Sequence, residues 1–166
     1  MSRQPNAALW TQPILSALRT MIGDAKPYRL HRRDGAVYLE RWKLEKNDRG
    51  GIYLHHFVAS DDVIPHDHPR RSTSLILAGS YIECIRGGDG CMHHEVRSPG
   101  DVVFRRASHT HRIELVDGQD AWSLFMFGPH VRQWGFVCPT GRWVPWKEFT
   151  GFDQTGDSSV AGKGCD

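Results

Sequence analysis

From residue 36 onward the chain breaks into short runs in which apolar and polar residues alternate, each closed by glycine, aspartate or proline. The runs are AVYLERWKL (36–44), IYLHHFVA (52–59), RSTSLILA (71–78), SYIECIR (80–86), CMHHEVR (91–97), VVFRRA (102–107), HRIELV (111–116), AWSLFMF (121–127) and WGFVC (134–138). An alternation of period two lets one face of a strand be buried and leaves the other for water or a second layer. Short strands at a spacing of roughly 8–12 residues with such turns predict an antiparallel sandwich or barrel. The turn GGDG (87–90) is suited to a tight hairpin between two of the runs.

One helix is expected ahead of the strands, over residues 11–22. Thr11 is placed to cap its start and Pro13 falls in the first turn. Ile14, Leu15, Leu18, Met21 and Ile22 recur at helical spacing. Such a stripe packs against a sheet or a second subunit. Gly23 suits the C-terminal stop. The segment from about Gly156 to residue 166 is small and polar, and it reads as a disordered tail. A single domain over 1–166 follows, with its barrel over about 36–150.

A chain of 166 residues can bury a core without metal or disulfide staples. The formal net charge of +2 argues against nucleic acid as a partner. No apolar run reaches membrane-span length, and MSRQPNAALW lacks the apolar core of a secretory signal, so a cytoplasmic protein is expected. The cysteines are Cys84, Cys91, Cys138 and Cys165. They form no CxxC pair and no regular framework, and are expected to be reduced thiols.

The chemistry lies in the histidines. In an extended segment His66 and His68 point to one face, so both rings can reach one metal ion. Ten histidines in 166 positions give about 0.6 such pairs by chance, so the pair needs context. The context is His66-x-His68, three residues, Ser72, six residues, Gly79; then Gly100, five residues, Arg106-x-Ser108, two residues, His111, and Leu115. These spacings resemble the two motifs of the cupin superfamily. The resemblance implies an all-β double-stranded β-helix, or jelly-roll, barrel with a short N-terminal helix, and a metal held by His66, His68 and His111. Ser72 stands where that family usually has a glutamate ligand, Arg106 and Ser108 replace Pro and Gly, and Leu115 replaces Asn.

Three imidazoles leave coordination positions open for water, substrate or oxygen. Imidazole suits Fe, Zn, Cu and Ni alike, and Mn is a further candidate. Three-histidine cupins include the thiol dioxygenases, and 111-HRIEL-115, 123-SLFMF-127 and Pro129 resemble their second motif. Ser123 matches, while Phe125 and Phe127 replace the His and Tyr of that family. The resemblance implies an Fe(II)-dependent, dioxygenase-like enzyme on a small organic substrate. The rivals are a non-redox metal-dependent lyase or isomerase, and a non-catalytic ligand-binding cupin; the bland reading of the three histidines is a metal-free polar pocket.

The remaining candidates surround the two motifs. Ser72 is placed to hydrogen-bond a metal-bound water, or merely to fill space. Arg70, Arg71, Arg105, Arg106 and Arg112 form a solvated cationic rim, from which Arg71 can clamp an anionic substrate. Asp67, between two inward histidines, should face outward as a surface carboxylate. His109 reads as a loop histidine at the barrel mouth, with replacement of His111 as ligand or a hydrogen bond to the metal site as its alternatives. The pairs His55-His56 and His93-His94 can each turn only one ring inward. Trp143 and Trp146 suit a cap on the barrel or a homodimer contact.

Overall fold

The computed structural model describes residues 7–151 and 162–166. Its elements are α1 (Ala8–Ile22), β1 (Tyr28–His31), β2 (Val37–Asn47), β3 (Gly50–Phe57), β4 (Ser72–Ala78), β5 (Tyr81–Arg86), β6 (Met92–Arg97), β7 (Val102–Arg105), β8 (His111–Leu115), β9 (Ala121–Phe127), β10 (Gly135–Val137), β11 (Trp143–Pro145) and α2 (Trp146–Thr150). Every pairing between strands is antiparallel.

Two sheets face each other. One has the order β1-β2-β3-β9-β4-β7. The other combines β6-β5-β8 with β10-β11, joined by the residue between them: His66 bridges to His111 on one side and to Phe136 on the other. Inward positions follow the period of two. Leu39, Phe57, Ile76, Tyr81, Ile113, Leu115 and Ala121 close the lower end of the barrel with one apolar cluster. Above it the inward positions turn polar: Ser72, Ser74, Ser123, His55, Glu83, Arg105 and His111 are all buried.

The outer face of the six-stranded sheet is also apolar and needs a cover. Helix α1 supplies it, with Ile14, Leu15, Leu18 and Ile22 against Leu54, Leu77, Trp42, Trp122 and Leu124. Alternation along β4 turns Ile76 to the barrel and Leu77 to the helix, both fully buried, and a bulge between Ile76 and Ala78 lets Ala78 pack on the helix side as well. Gly79 follows at φ +68°, where a Cβ would run into the Asp120 carbonyl, so no other residue fits this turn.

The helix begins earlier than the sequence predicts, at Ala8, with Ala7 as N-cap and no side-chain cap. Thr11 is not the cap; it lies inside the helix, and its hydroxyl donates to the Ala7 carbonyl at 3.0 Å. Pro13 accordingly sits in the helix interior. Strands β1 and β11 and helix α2 have no counterpart in the sequence reading.

Two of the cysteines are not reduced thiols. Cys138 and Cys165 form a disulfide across a sequence separation of 27, while Cys84 and Cys91 are free. The fold brings the pair within bonding reach, with Cα atoms 5.7 Å apart. The expected disordered tail falls partly outside the described residues. Residues 162–166 are ordered: the amides of Gly162, Lys163 and Gly164 donate to the carbonyls of Thr150, Glu148 and Phe149. Cys165 packs with Phe136, Val144 and Phe149 beside the disulfide.

Candidate metal centre

The segment 65–68 is strand-like because both its edges are hydrogen-bonded. His66 and His111 exchange backbone bonds at 2.8 and 3.0 Å, the His68 amide donates to the Ala107 carbonyl, and the Asp67 amide donates to Gly135. Residues of one parity therefore face the barrel. The ring centroids of His66 and His68 lie 5.0 Å apart, and those of His66–His111 and His68–His111 lie 5.4 and 5.0 Å apart. The ligand nitrogens of the three residues all lie within 4.8 Å of one another, so the group can hold one metal ion.

Asp67 points the other way, as its parity requires, yet it is not a surface carboxylate. It is 3% exposed because β10 and β11 cover that side. Its carboxylate accepts from the Gly135 amide at 2.8 Å and the Trp143 indole at 3.1 Å, and pairs with Arg132 at 2.8 Å. This pins the histidine segment from behind.

Glu83, on the inward face of β5, is the residue that sequence reasoning missed. It is fully buried. Its Oε1 accepts from Arg105 Nε at 2.6 Å and stands 2.7 Å from His111 Nδ1 and 3.2 Å from His109 Nε2, while Oε2 accepts from Arg97 at 2.7 Å. Burial would raise its pKa, but the bonds from His109, His111 and Arg105 outweigh it and hold the carboxyl far below its usual range. A permanent carboxylate can only accept. The His111 proton is thereby fixed on Nδ1, and the Nε2 lone pair faces the barrel. His109 belongs to this network as well as to the mouth.

Arg105 is not part of a solvated rim. It is 3% exposed and is used up by Glu83, by Ser74 at 2.9 Å and by Tyr81 at 3.3 Å. Arg112 pairs with Glu114 on the outer face of β8. Arg70 donates to the Gly128 carbonyl at 2.8 Å and lies over the Phe127 ring. Arg71 is exposed.

The donor set can be tested for its fit to a cation. Burial pushes the pKa of His66 down to about 4 and that of His111 to about 3, and holds His68 well below the usual imidazole range. The rings are therefore neutral and offer lone pairs. His68 Nε2 and His111 Nε2 stand 2.8 Å apart. Two nitrogens about 2.1 Å from a shared ion would stand roughly 3.0–3.4 Å apart, so a shift of a few tenths of an ångström admits one. The geometry fits. A second cluster, Glu83, His109 and His111, is equally tight. It does not suit a cation, because Glu83 is already matched by two guanidiniums.

The wall facing the histidines is the inner face of β3, β9 and β4. His55 is buried there and stacks on Phe125 at 4.5 Å, whereas its neighbour His56 faces outward onto Trp122 at 4.0 Å. Ser72 and Ser123 are inward and buried, 4% and 1% exposed. His93 and His94 lie on the exposed strand β6.

No protein-family profile and no curated protein matches the chain. Solved structures do. The DMSP lyase DddQ from Ruegeria pomeroyi DSS-3 superposes with a TM-score of 0.60 at 17% identity, covering 86% of this chain and 81% of that one. The polyketide cyclase RemF from Streptomyces resistomycificus gives 0.54 at 20%, covering 77% and 95%. A predicted oxalate decarboxylase from Thermotoga maritima gives 0.51 at 19%, covering 64% and 94%. The structural neighbours are cupin-superfamily proteins, and the fold of this chain is the cupin double-stranded β-helix with a three-histidine group able to bind a metal.

Proposed function

We propose that the protein is a mononuclear divalent-metal enzyme acting on a small organic anion, with His66, His68 and His111 as the ligands. The observation that carries this reading is the convergence of three neutral imidazoles on one point, His111 buried and His66 and His68 largely so, with His111 held in a single tautomer by Glu83. Three such rings are costly to bury without a shared partner. Bound there, a divalent ion would supply Lewis acidity and, as Fe(II), a place for oxygen beside the substrate.

The chain's own part is orientation and exclusion of water. Phe125 and Phe127 give the chamber an apolar wall, and Ser72 offers a hydroxyl to the substrate or to a bound water. Ser123 lies on the same wall as His55, beside it in register on β9. Arg71 stands at the mouth as a guide for an anion. Oxygen chemistry with Fe(II) is the first reading. Lewis-acid elimination or isomerisation is the second: Phe125 and Phe127 stand where the thiol dioxygenases have their proton-handling His and Tyr, which weighs against that oxygen chemistry, and the base that elimination needs would have to come from another residue or a bound water. A lyase and a cyclase share this fold, in keeping with the second reading.

Anaerobically reconstituted protein should hold close to one equivalent of Fe(II) or Zn(II) by elemental analysis, and His66→Ala, His68→Ala and His111→Ala should each lose most of it. Metal content in the triple variant equal to wild type would sink the site. Oxygen uptake on addition of small organic anions supports the first chemistry, and turnover under argon with Zn(II), Mn(II) or Ni(II) supports the second. Tight ligand binding that survives chelator, without turnover, would instead mark a non-catalytic cupin. A homodimer through edge strand β7 suits the exposure of Val102 and Phe104, and light scattering reads it directly.

A further inference from the structure

Among the described residues, the buried side-chain nitrogens and oxygens without a hydrogen-bond partner are His55 Nε2 and Ser72 Oγ. A buried polar atom left unpaired is costly, and where it persists it needs a reason. Ser72 is already placed near the substrate. His55 is not explained by anything above.

His55 sits on the inward face of β3, in register with Arg41 of β2 and Ser123 of β9. Its ring is clasped by aromatic neighbours: Phe125 parallel at 4.5 Å, Tyr53 at 6.0 Å and Phe57 edge-on at 6.0 Å. These fix the ring plane but leave Nε2 without a hydrogen-bond partner. Beside it stands an uncommitted positive charge. The Arg41 guanidinium lies over the rings of Tyr28 and Tyr53 at 4.7 and 4.9 Å, and among the described residues no carboxylate pairs with it. Arg105, by contrast, is consumed by Glu83, Ser74 and Tyr81. Cations stacked on aromatic faces remain available to an anion from the open side.

We propose that the substrate is an organic carboxylate and that His55, through Nε2, is a recognition residue for it on the wall across from the histidine cluster, with Arg41 supplying the charge. A neutral imidazole with its proton on Nε2 donates one hydrogen bond to a carboxylate oxygen, while Arg41 and Arg105 make the surroundings positive. The inference rests on the barrel interior being the substrate chamber and adds which residues select the substrate and by what chemistry.

The test uses the full chain loaded with Zn(II), with its histidines labelled with 15N, and sodium butyrate as the probe. The His55 ring signals, identified by their loss in His55→Leu or by their contacts to Phe125, should shift and saturate as butyrate is added. n-Butanol, of similar size but neutral, should leave them in place. Butyrate should bind about tenfold more weakly to His55→Leu and to Arg41→Met, the equivalent of one lost hydrogen bond. Zinc content should be unchanged in both variants. Unmoved His55 signals in wild type, equal binding to both variants, or equal binding of butanol would each overturn the inference. Failure of the metal reading shows separately, as substoichiometric zinc in wild type, and the same titration on metal-free protein still reports on His55.

Discussion

At the scale of single residues the site depends on one buried acid. Glu83→Gln keeps the shape of the side chain but replaces an obligate acceptor with an amide that can also donate, so the tautomer of His111 is no longer fixed. Affinity for the bound metal should fall about 10–100-fold, measured by competition with a chromophoric chelator. The same change strips Arg105 of its counter-charge, and breaking a buried pair in this way costs roughly 3–5 kcal/mol. A thermal scan should therefore show Glu83→Gln less stable than wild type even without metal. Affinity and stability both unchanged would remove Glu83 from the site. Nothing in SYIECIR marks this residue. Tyr81, Glu83 and Ile85 share one face and Ile82 and Cys84 the other, so apolar residues occur on both, and the pattern alone does not say which face is inside. The histidines were legible for the opposite reason. The spacing His66-x-His68 puts two rings on one face of any extended segment, whatever that segment packs against.

At the scale of elements, α1 is legible through its stripe and misplaced at its start. Caps depend on the local geometry of one residue, whereas a stripe averages over four turns. Leu15, 5% exposed between α1 and the sheet, anchors the contact. Leu15→Ala should cost about 2–5 kcal/mol in chemical denaturation, and a loss below about 1 kcal/mol would mean the helix is not a true part of the core. The short elements β1, β11 and α2 carry too few residues for a periodic signal. They exist because β2, β10 and residues 162–166 offer them partners. The disulfide belongs here as well. Closing a loop of 27 residues removes unfolded-state entropy worth roughly 3–4 kcal/mol in the chain-entropy model. Mild reductant should lower the unfolding midpoint of wild type, while Cys138→Ala should start low and not respond. A midpoint indifferent to reductant would show that the bridge holds nothing.

The molecule as a whole should be sensitive to acid. His55, His66 and His111 are buried neutral, with pKa values pushed down to about 3, 4 and 3 by burial first. In the unfolded chain they titrate near 6.5, so below that pH the unfolded state binds more protons and stability falls as pH falls. Asp61 has the opposite sign. Burial raises its carboxyl to about 7, so between pH 4 and 7 its ionisation favours unfolding as pH rises. Three rings outweigh one carboxyl. Metal-free protein should lose up to about 2–3 kcal/mol per pH unit between roughly pH 5.5 and 4, read by urea midpoints across that range. A flat profile there would mean that the rings are solvated.

Only the resemblance to the cupin motifs implied that His111 joins His66 and His68; the chain's alternation, its turn glycines and the spacing His66-x-His68 by themselves determined antiparallel strands with two imidazoles on one face. These are local properties, set by the period of a strand and the reach of a few residues. Which charges meet inside the barrel was decided only by tertiary structure. Glu83 and Arg105 stand 22 residues apart, and nothing next to Arg105 in the sequence distinguishes it from the exposed arginines around it. Asp67 became buried because β10 and β11 folded over it, and Cys138 found Cys165 because the end of the chain returned to the same place. Each of these partners is chosen by the packing of one sheet on the other, and no residue can report that from its own neighbourhood in the sequence.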